Sequence, residues 1–128
     1  MVAIVAHGID LVQIERIARV WREHGERFLN RIFTAGERNY CLGGRNAAER
    51  LAGRFAAKEA VMKVLGTGWR GEIRWTDIET LPDALGKPLV TLHGACAQRA
   101  ASLDIGRILL SISHTREHAI ASAIALSV

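Results

Sequence analysis

The sequence predicts an α+β domain in which a mainly antiparallel sheet packs on one long central helix. Three observations lead there. The chain opens on a β-branched apolar run, VAIVAHGI at 2–9. Residues 46–65 are rich in alanine, with leucine and arginine, the composition of a long helix. The chain closes on two alternating apolar segments, 107–114 and 118–126, which read as a hairpin. A strand, then helices, then strands with one further helix is the order of an α+β fold.

Each element has its own signal. Residues 2–9 read as a buried strand ending before Asp10. Leu11, Ile14, Ile17, Ala18 and Trp21 recur at helical spacing and predict a helix over 12–24, stopped by Gly25. A short helix follows at 26–32, and Thr34 with Glu37 forms a capping box for another through Leu42. Gly43 and Gly44 break it before the long helix, whose Leu51, Phe55, Met62 and Leu65 are expected to point inward. Gly66-Thr67-Gly68 ends that helix. IRWTDIET at 73–80 alternates as a strand. Pro82–Pro88 is a turn, 89–92 a short strand and 94–103 a helix, and Thr115–Glu117 separate the two closing strands.

The bulk properties bound the function. A chain of 128 residues, 49% hydrophobic and 23% charged, fits one domain spanning 1–128. No apolar run reaches the roughly 20 residues of a membrane span, and the N-terminus lacks the basic start of a signal peptide, so a cytoplasmic protein is expected. Cys41 and Cys96 are far apart and read as free thiols. The net charge is +4, with nine arginines against six acids in residues 1–54. A basic face favours acidic partners: nucleic acid, an acidic protein or a phosphorylated small molecule. Arg16, Arg19 and Arg22 step by three and form an exposed basic stripe.

Several residues could carry chemistry. Glu59 and Lys63 are four apart on the long helix and share a face; the spacing equally describes a surface ion pair. Ala52 and Ala56 on that face are small enough to leave room for a ligand. Asp10, at a strand end, suits either a catalytic group or a helix N-cap three residues before Gln13. Two carboxylates plus substrate phosphates suit magnesium. The 66–68 turn could admit a phosphate or simply cap the helix; no GxxxxGK[ST] P-loop occurs. His114 closes an apolar strand beside Thr115, on the side of Ile108, Leu110 and Ile112. It suits a phosphate contact or a structural histidine, and HxxxH with His118 lacks the further ligands of a zinc site.

Four segments together resemble the holo-acyl-carrier-protein synthase family of phosphopantetheinyl transferases: GIDLVQIERI at 8–17, FTAGE at 33–37, RLAGRFAAKEAVMKVLGTG at 50–68 and SISHT at 111–115. Gly86-Lys87-Pro88 also fits, and the match covers essentially the whole chain. The resemblance implies transfer of the 4′-phosphopantetheine arm of coenzyme A to a serine of apo acyl carrier protein, releasing adenosine 3′,5′-bisphosphate. It implies magnesium on Asp10 and Glu59, and Lys63 at the pyrophosphate. His114 and Thr115 would contact coenzyme A phosphates, with Gly66 and Gly68 along the nucleotide. Arg45, Arg54, Gly86 and Pro88 would complete that site. Arg16, extended by Arg19 and Arg22, would dock the carrier protein. A homotrimer with sites between subunits and a role in fatty acid biosynthesis are implied too. The competing readings are a nucleic-acid-binding module, for which aromatics at 5% are sparse, an inactive relative, and another magnesium-dependent phosphotransferase or hydrolase.

Overall fold

The computed structural model describes residues 1–128. Its elements run β1 (Ile4–Gln13), α1 (Ile14–His24), α2 (Glu26–Ile32), α3 (Ala35–Leu42), α4 (Ala47–Leu65), β2 (Ile78–Pro82), β3 (Pro88–Leu92), α5 (Gly94–Ser102), β4 (Ile105–His114) and β5 (His118–Ser127). Strands β1, β5 and β4 form one antiparallel sheet in that spatial order, and β2 and β3 form a second, two-stranded one. The α+β class and the central helix are as the sequence predicts. No helix is long and apolar enough to cross a membrane.

The core lies between α4 and the three-stranded sheet, and small residues set its thickness. Ala119, Ala121, Ala123 and Ala125 of β5 are fully buried, as are Ala52, Ala56, Ala57 and Ala60 of α4. Gly8 shows how close the layers come. A Cβ placed there would lie 2.1 Å from the Ala60 carbonyl oxygen and 3.1 Å from Lys63 Cβ. The absent side chain lets β1 lie against the last two turns of α4. Ala52 and Ala56 are therefore packing residues, and the expectation that they leave space for a ligand is wrong.

A buried ion pair fastens the helices to the second sheet. Thr34 and Glu37 form the predicted capping box, with bonds of 3.1 and 2.9 Å. The Glu37 carboxylate also accepts from the Thr80 backbone N–H at 2.8 Å and pairs with Lys58 Nζ at 2.8 Å. Lys58 further donates to the carbonyls of Trp75 and Ile78. Both side chains are fully buried. Burial pulls the Lys58 pKa down, and the Glu37 charge opposes that shift. The lysine inside FAAKEA is thus a clamp between α4, α3 and β2.

Three elements differ from expectation. Strand β1 continues to Gln13, and α1 starts at Ile14 with no side-chain cap, so Asp10 is a strand residue paired with Ala121 rather than an N-cap. Leu11 fits the helical period by accident: it stands three before Ile14 but pairs with Ile120 in the sheet. β1 is not buried on both faces: Val5, Ile9 and Leu11 are exposed. Of IRWTDIET, Trp75–Asp77 form a 3-10 turn and only Ile78 onward is strand. The Asp77 side chain accepts from the Arg74 N–H at 3.1 Å and holds that turn, a local bond that outcompetes the ladder.

Candidate functional site

The sequence-predicted residues gather in two separate groups. The first lies where β1 crosses the C-terminal half of α4. The close approach at Gly8 brings Asp10, two residues on, beside Lys63: Nζ is 3.4 Å from Asp10 Oδ1 and donates to the Ile9 carbonyl at 2.7 Å. The Asp10 side chain is mostly covered while that of Lys63 is half exposed. Lys63 therefore pairs with Asp10, and the i,i+4 ion pair with Glu59 does not form. Glu59 accepts a 3.1 Å bond from the indole N–H of Trp69. Burial raises the Glu59 pKa, the nearby Asp10 charge raises it further, and Trp69, Lys63 and Arg16 oppose both. Two half-buried carboxylates that repel each other, beside a cation that can swing away, suit a bound positive charge.

Glu59, Met62, Lys63, Gly66, Gly68 and Trp69 line a hollow of about 280 Å³. Gly66 takes the left-handed conformation, φ 77°, and its N–H bonds to the Met62 carbonyl, so it is a helix C-cap. Gly68 is also left-handed, at φ 67°. Together they turn the chain so that Trp69 returns beside Glu59.

No group of three or more His, Cys, Asp or Glu side chains is arranged to hold a metal ion. The first group offers only the Asp10 and Glu59 carboxylates. That donor set fits magnesium, which keeps waters and takes one or two carboxylates plus phosphate oxygens.

The second group sits at the β4 edge against the N-terminal half of α4. Arg50, Arg54, Gly53, Tyr40, Asn46, Glu49, Gly86, Pro88, Ile112 and His114 line a hollow of about 330 Å³. Gly53 again allows close packing, since a Cβ there would be 3.2 Å from Ile112 Cγ2. Arg54 is only 7% exposed, yet its Nε has no hydrogen-bond partner. Its guanidinium lies over the Tyr40 ring at 4.5 Å, with that of Arg50 at 5.0 Å. A buried guanidinium with an unused donor is set for an anion. His114 Nδ1 stands 3.9 Å from a Glu49 carboxylate oxygen. Gly86 has φ 88° in the β2–β3 turn, where Asp83 accepts from the N–H groups of Leu85 and Lys87 at 2.8 and 2.9 Å.

The remaining residues lie outside both hollows. Arg45 is exposed in the α3–α4 turn. The Thr115 hydroxyl accepts from the N–H groups of Glu117 and His118 at 3.2 and 3.1 Å and shapes the β4–β5 turn. Arg16, Arg19 and Arg22 are exposed on α1, though Arg22 pairs with Glu15 at 2.9 Å. Arg16 is near enough to Glu59 to influence it, so the basic stripe begins at the first hollow. Sequence reasoning missed Trp69, Tyr40 and Arg50. Arg50 was within reach, being four before Arg54 on one helix.

The chain matches the 4'-phosphopantetheinyl transferase superfamily over residues 6–123. It is 48% identical over 121 residues to the holo-[acyl-carrier-protein] synthase of Koribacter versatilis, covering 94% of this chain and 97% of that protein. Its fold is similar to the crystal structure of the holo-[acyl-carrier-protein] synthase of Neisseria meningitidis, with a TM-score of 0.88 and 35% identity over 96% of this chain and 98% of that one. The Helicobacter pylori synthase, solved in complex with coenzyme A, gives a TM-score of 0.83 and 31% identity over 94% and 99%.

Proposed function

The chain belongs to the 4'-phosphopantetheinyl transferase superfamily, and on that premise we propose that it moves the phosphopantetheine arm of coenzyme A to a serine of apo acyl carrier protein. The serine hydroxyl gives its proton to a water or carboxylate at the acid site, and its oxygen forms a bond to the phosphorus that carries pantetheine. The bond from that phosphorus to the bridging oxygen breaks, and adenosine 3′,5′-bisphosphate leaves. The observation that carries this reading is the meeting of Asp10 with Glu59 and Lys63: Asp10 is far from that pair in sequence and reaches it because Gly8 admits β1 to α4.

Each residue has work suited to its surroundings. Asp10 and Glu59 would hold magnesium, which when bound offsets negative charge on the phosphates. Lys63, half exposed on a flexible stem, can exchange Asp10 for a pyrophosphate oxygen and stabilise the charge growing on the leaving group. Arg54 and Arg50 suit a further phosphate of coenzyme A, with His114 beside them and the Gly86–Pro88 turn along the nucleotide. Arg45 and Thr115 remain candidate contacts at the rim. Arg16, Arg19 and Arg22 would receive the acidic carrier at the edge of the acid site.

The two hollows share no residue, and β5 separates the strand carrying Asp10 from the strand carrying His114. One coenzyme A served by both groups is best explained by a homotrimer in which the β1 edge of one protomer meets the β4 edge of the next. A cytoplasmic enzyme serving fatty acid biosynthesis completes the proposal.

The test is an intact-mass assay with apo carrier protein, coenzyme A and magnesium, beside a sample with excess chelator. A carrier heavier by one phosphopantetheine arm, only with free magnesium, is expected. An unchanged carrier mass, from folded enzyme that still binds coenzyme A, would point to another acceptor and overturn the carrier assignment.

A further inference from the structure

Trp69 gives Glu59 the one hydrogen bond its side chain receives from the protein, Nε1–H to Oε1 at 3.1 Å. The indole is not free to move. It stacks on Trp75 with centroids 3.7 Å apart and planes at 20°, and Trp75 stacks on Phe55 at 5.2 Å and 23°. Phe55 stands one turn before Glu59 on α4. The stack therefore leaves α4 at Phe55 and returns to it through the Trp69 N–H, closing a ring around the carboxylate. Both left-handed glycines serve this closure, since Gly66 and Gly68 bring residue 69 back along the helix. Lys63 does not share this job, since its ammonium is bonded to Asp10 and the Ile9 carbonyl.

An indole N–H donates and never accepts, so it always takes up one lone-pair site of the carboxylate. Oε1 is taken, and Oε2 has no protein partner. We infer that Trp69 is a positioning residue whose N–H fixes the Glu59 carboxylate so that Oε2, which has no protein partner, is the oxygen offered to a divalent cation. The inference rests on the metal role proposed above for Asp10 and Glu59. Groups that orient ligands in this way typically change metal affinity about 10- to 100-fold when removed. Ring stacking alone would shape the turn but would not select an oxygen.

Trp69→Phe removes the N–H and keeps an aromatic ring in the stack. Trp75→Phe alters the stack and keeps the N–H. Mn2+ binding to each full-length protein with coenzyme A present can be followed by the electron paramagnetic resonance signal of the free ion, alongside thermal melts. Trp69→Phe is expected to bind Mn2+ about tenfold more weakly than the parent. Trp75→Phe is expected to bind Mn2+ as the parent does. Equal Mn2+ affinity in Trp69→Phe and the parent overturns the inference. So does an equal loss in both variants, which would assign the effect to packing. A parent protein that binds no Mn2+ removes the metal reading itself, a failure distinct from either.

Discussion

At Glu59 function and stability pull in opposite directions. Burial and the Asp10 charge make its ionised form costly in the fold. Glu59→Gln keeps an oxygen for the Trp69 N–H and removes the buried charge. Carrier modification should fall about 100-fold, while the melting temperature stays level or rises. Near-normal turnover in this variant would take Glu59 out of the metal role. The two cysteines give a pH signature of another kind. Burial pushes each thiol from its ordinary value of 9.0 up to about 11. The unfolded chain then releases these protons at lower pH than the folded chain. The stability they contribute is whole below pH 9 and is lost as pH climbs toward 11. The slope is up to about 1.4 kcal/mol per pH unit for each thiol. Lys58, with its pKa lowered, acts in the opposite sense at high pH, so the share of the thiols is read as a difference. Urea unfolding of the parent and of a Cys41→Ala, Cys96→Ala variant between pH 8 and 10.5 should give a shallower fall for the variant. Parallel curves would contradict the burial argument. Of these residues, Asp10, Glu59 and Lys63 were legible through the family motifs rather than through spacing. Spacing alone made Lys63 a partner of Glu59, and only the fold reveals Asp10 as the true one. Trp69 carried no signal, because its place depends on two left-handed glycines, Gly66 and Gly68, on either side of Thr67.

The elements whose boundaries are set by local chemistry were readable: the Thr34 capping box, the Gly66 cap and the Asp83 turn all stand where the residues dictate. The errors fall where two periods fit equally. Leu11 matches the helix that follows it but belongs to β1, and Arg74–Asp77 alternate like a strand while closing a 3-10 turn. Contact between layers was not readable at all, and Gly8 is the case that matters. Its missing side chain is the reason β1 and α4 touch near the site. Gly8→Ala forces a methyl toward the Ala60 carbonyl, and backbone rather than a flexible side chain must give way. Overpacking of this kind costs about 1–3 kcal/mol, and here the displaced strand carries Asp10. Loss of both urea stability and transfer activity is expected. A variant as stable and as active as the parent would mean that β1 does not lie this close to α4.

At the scale of the whole molecule two surfaces carry predictions, the basic stripe of α1 and the outer face of the three-stranded sheet. The basic face of α1 starts beside the acid pair, so Arg16→Ala should raise the KM for carrier protein several-fold and leave that for coenzyme A nearly unchanged. Equal losses for both substrates would deny the docking role. The opposite face of the three-stranded sheet exposes Val5, Ile9, Leu11 and Leu109, and the proposed site draws on groups at both edges of that sheet. An assembly that joins unlike edges repeats one contact throughout, and it closes into a ring when the rotation between neighbours closes. Leu109→Asp puts a charge into this apolar face, away from Asp10 and Glu59. The parent should elute near three times the 14.0 kDa chain mass, the variant as a smaller species with little activity. A sharper consequence concerns mixtures. Glu59→Gln spoils only the acid group and Arg54→Gln only the basic group. If each site takes one group from each of two neighbours, co-refolding equal amounts of these two inactive chains leaves about a quarter of the sites with both groups intact. The mixture should then regain activity of that order, far above either parent variant. Activity no greater than the sum of the two variants would place both groups of a working site in one chain and refute the shared architecture.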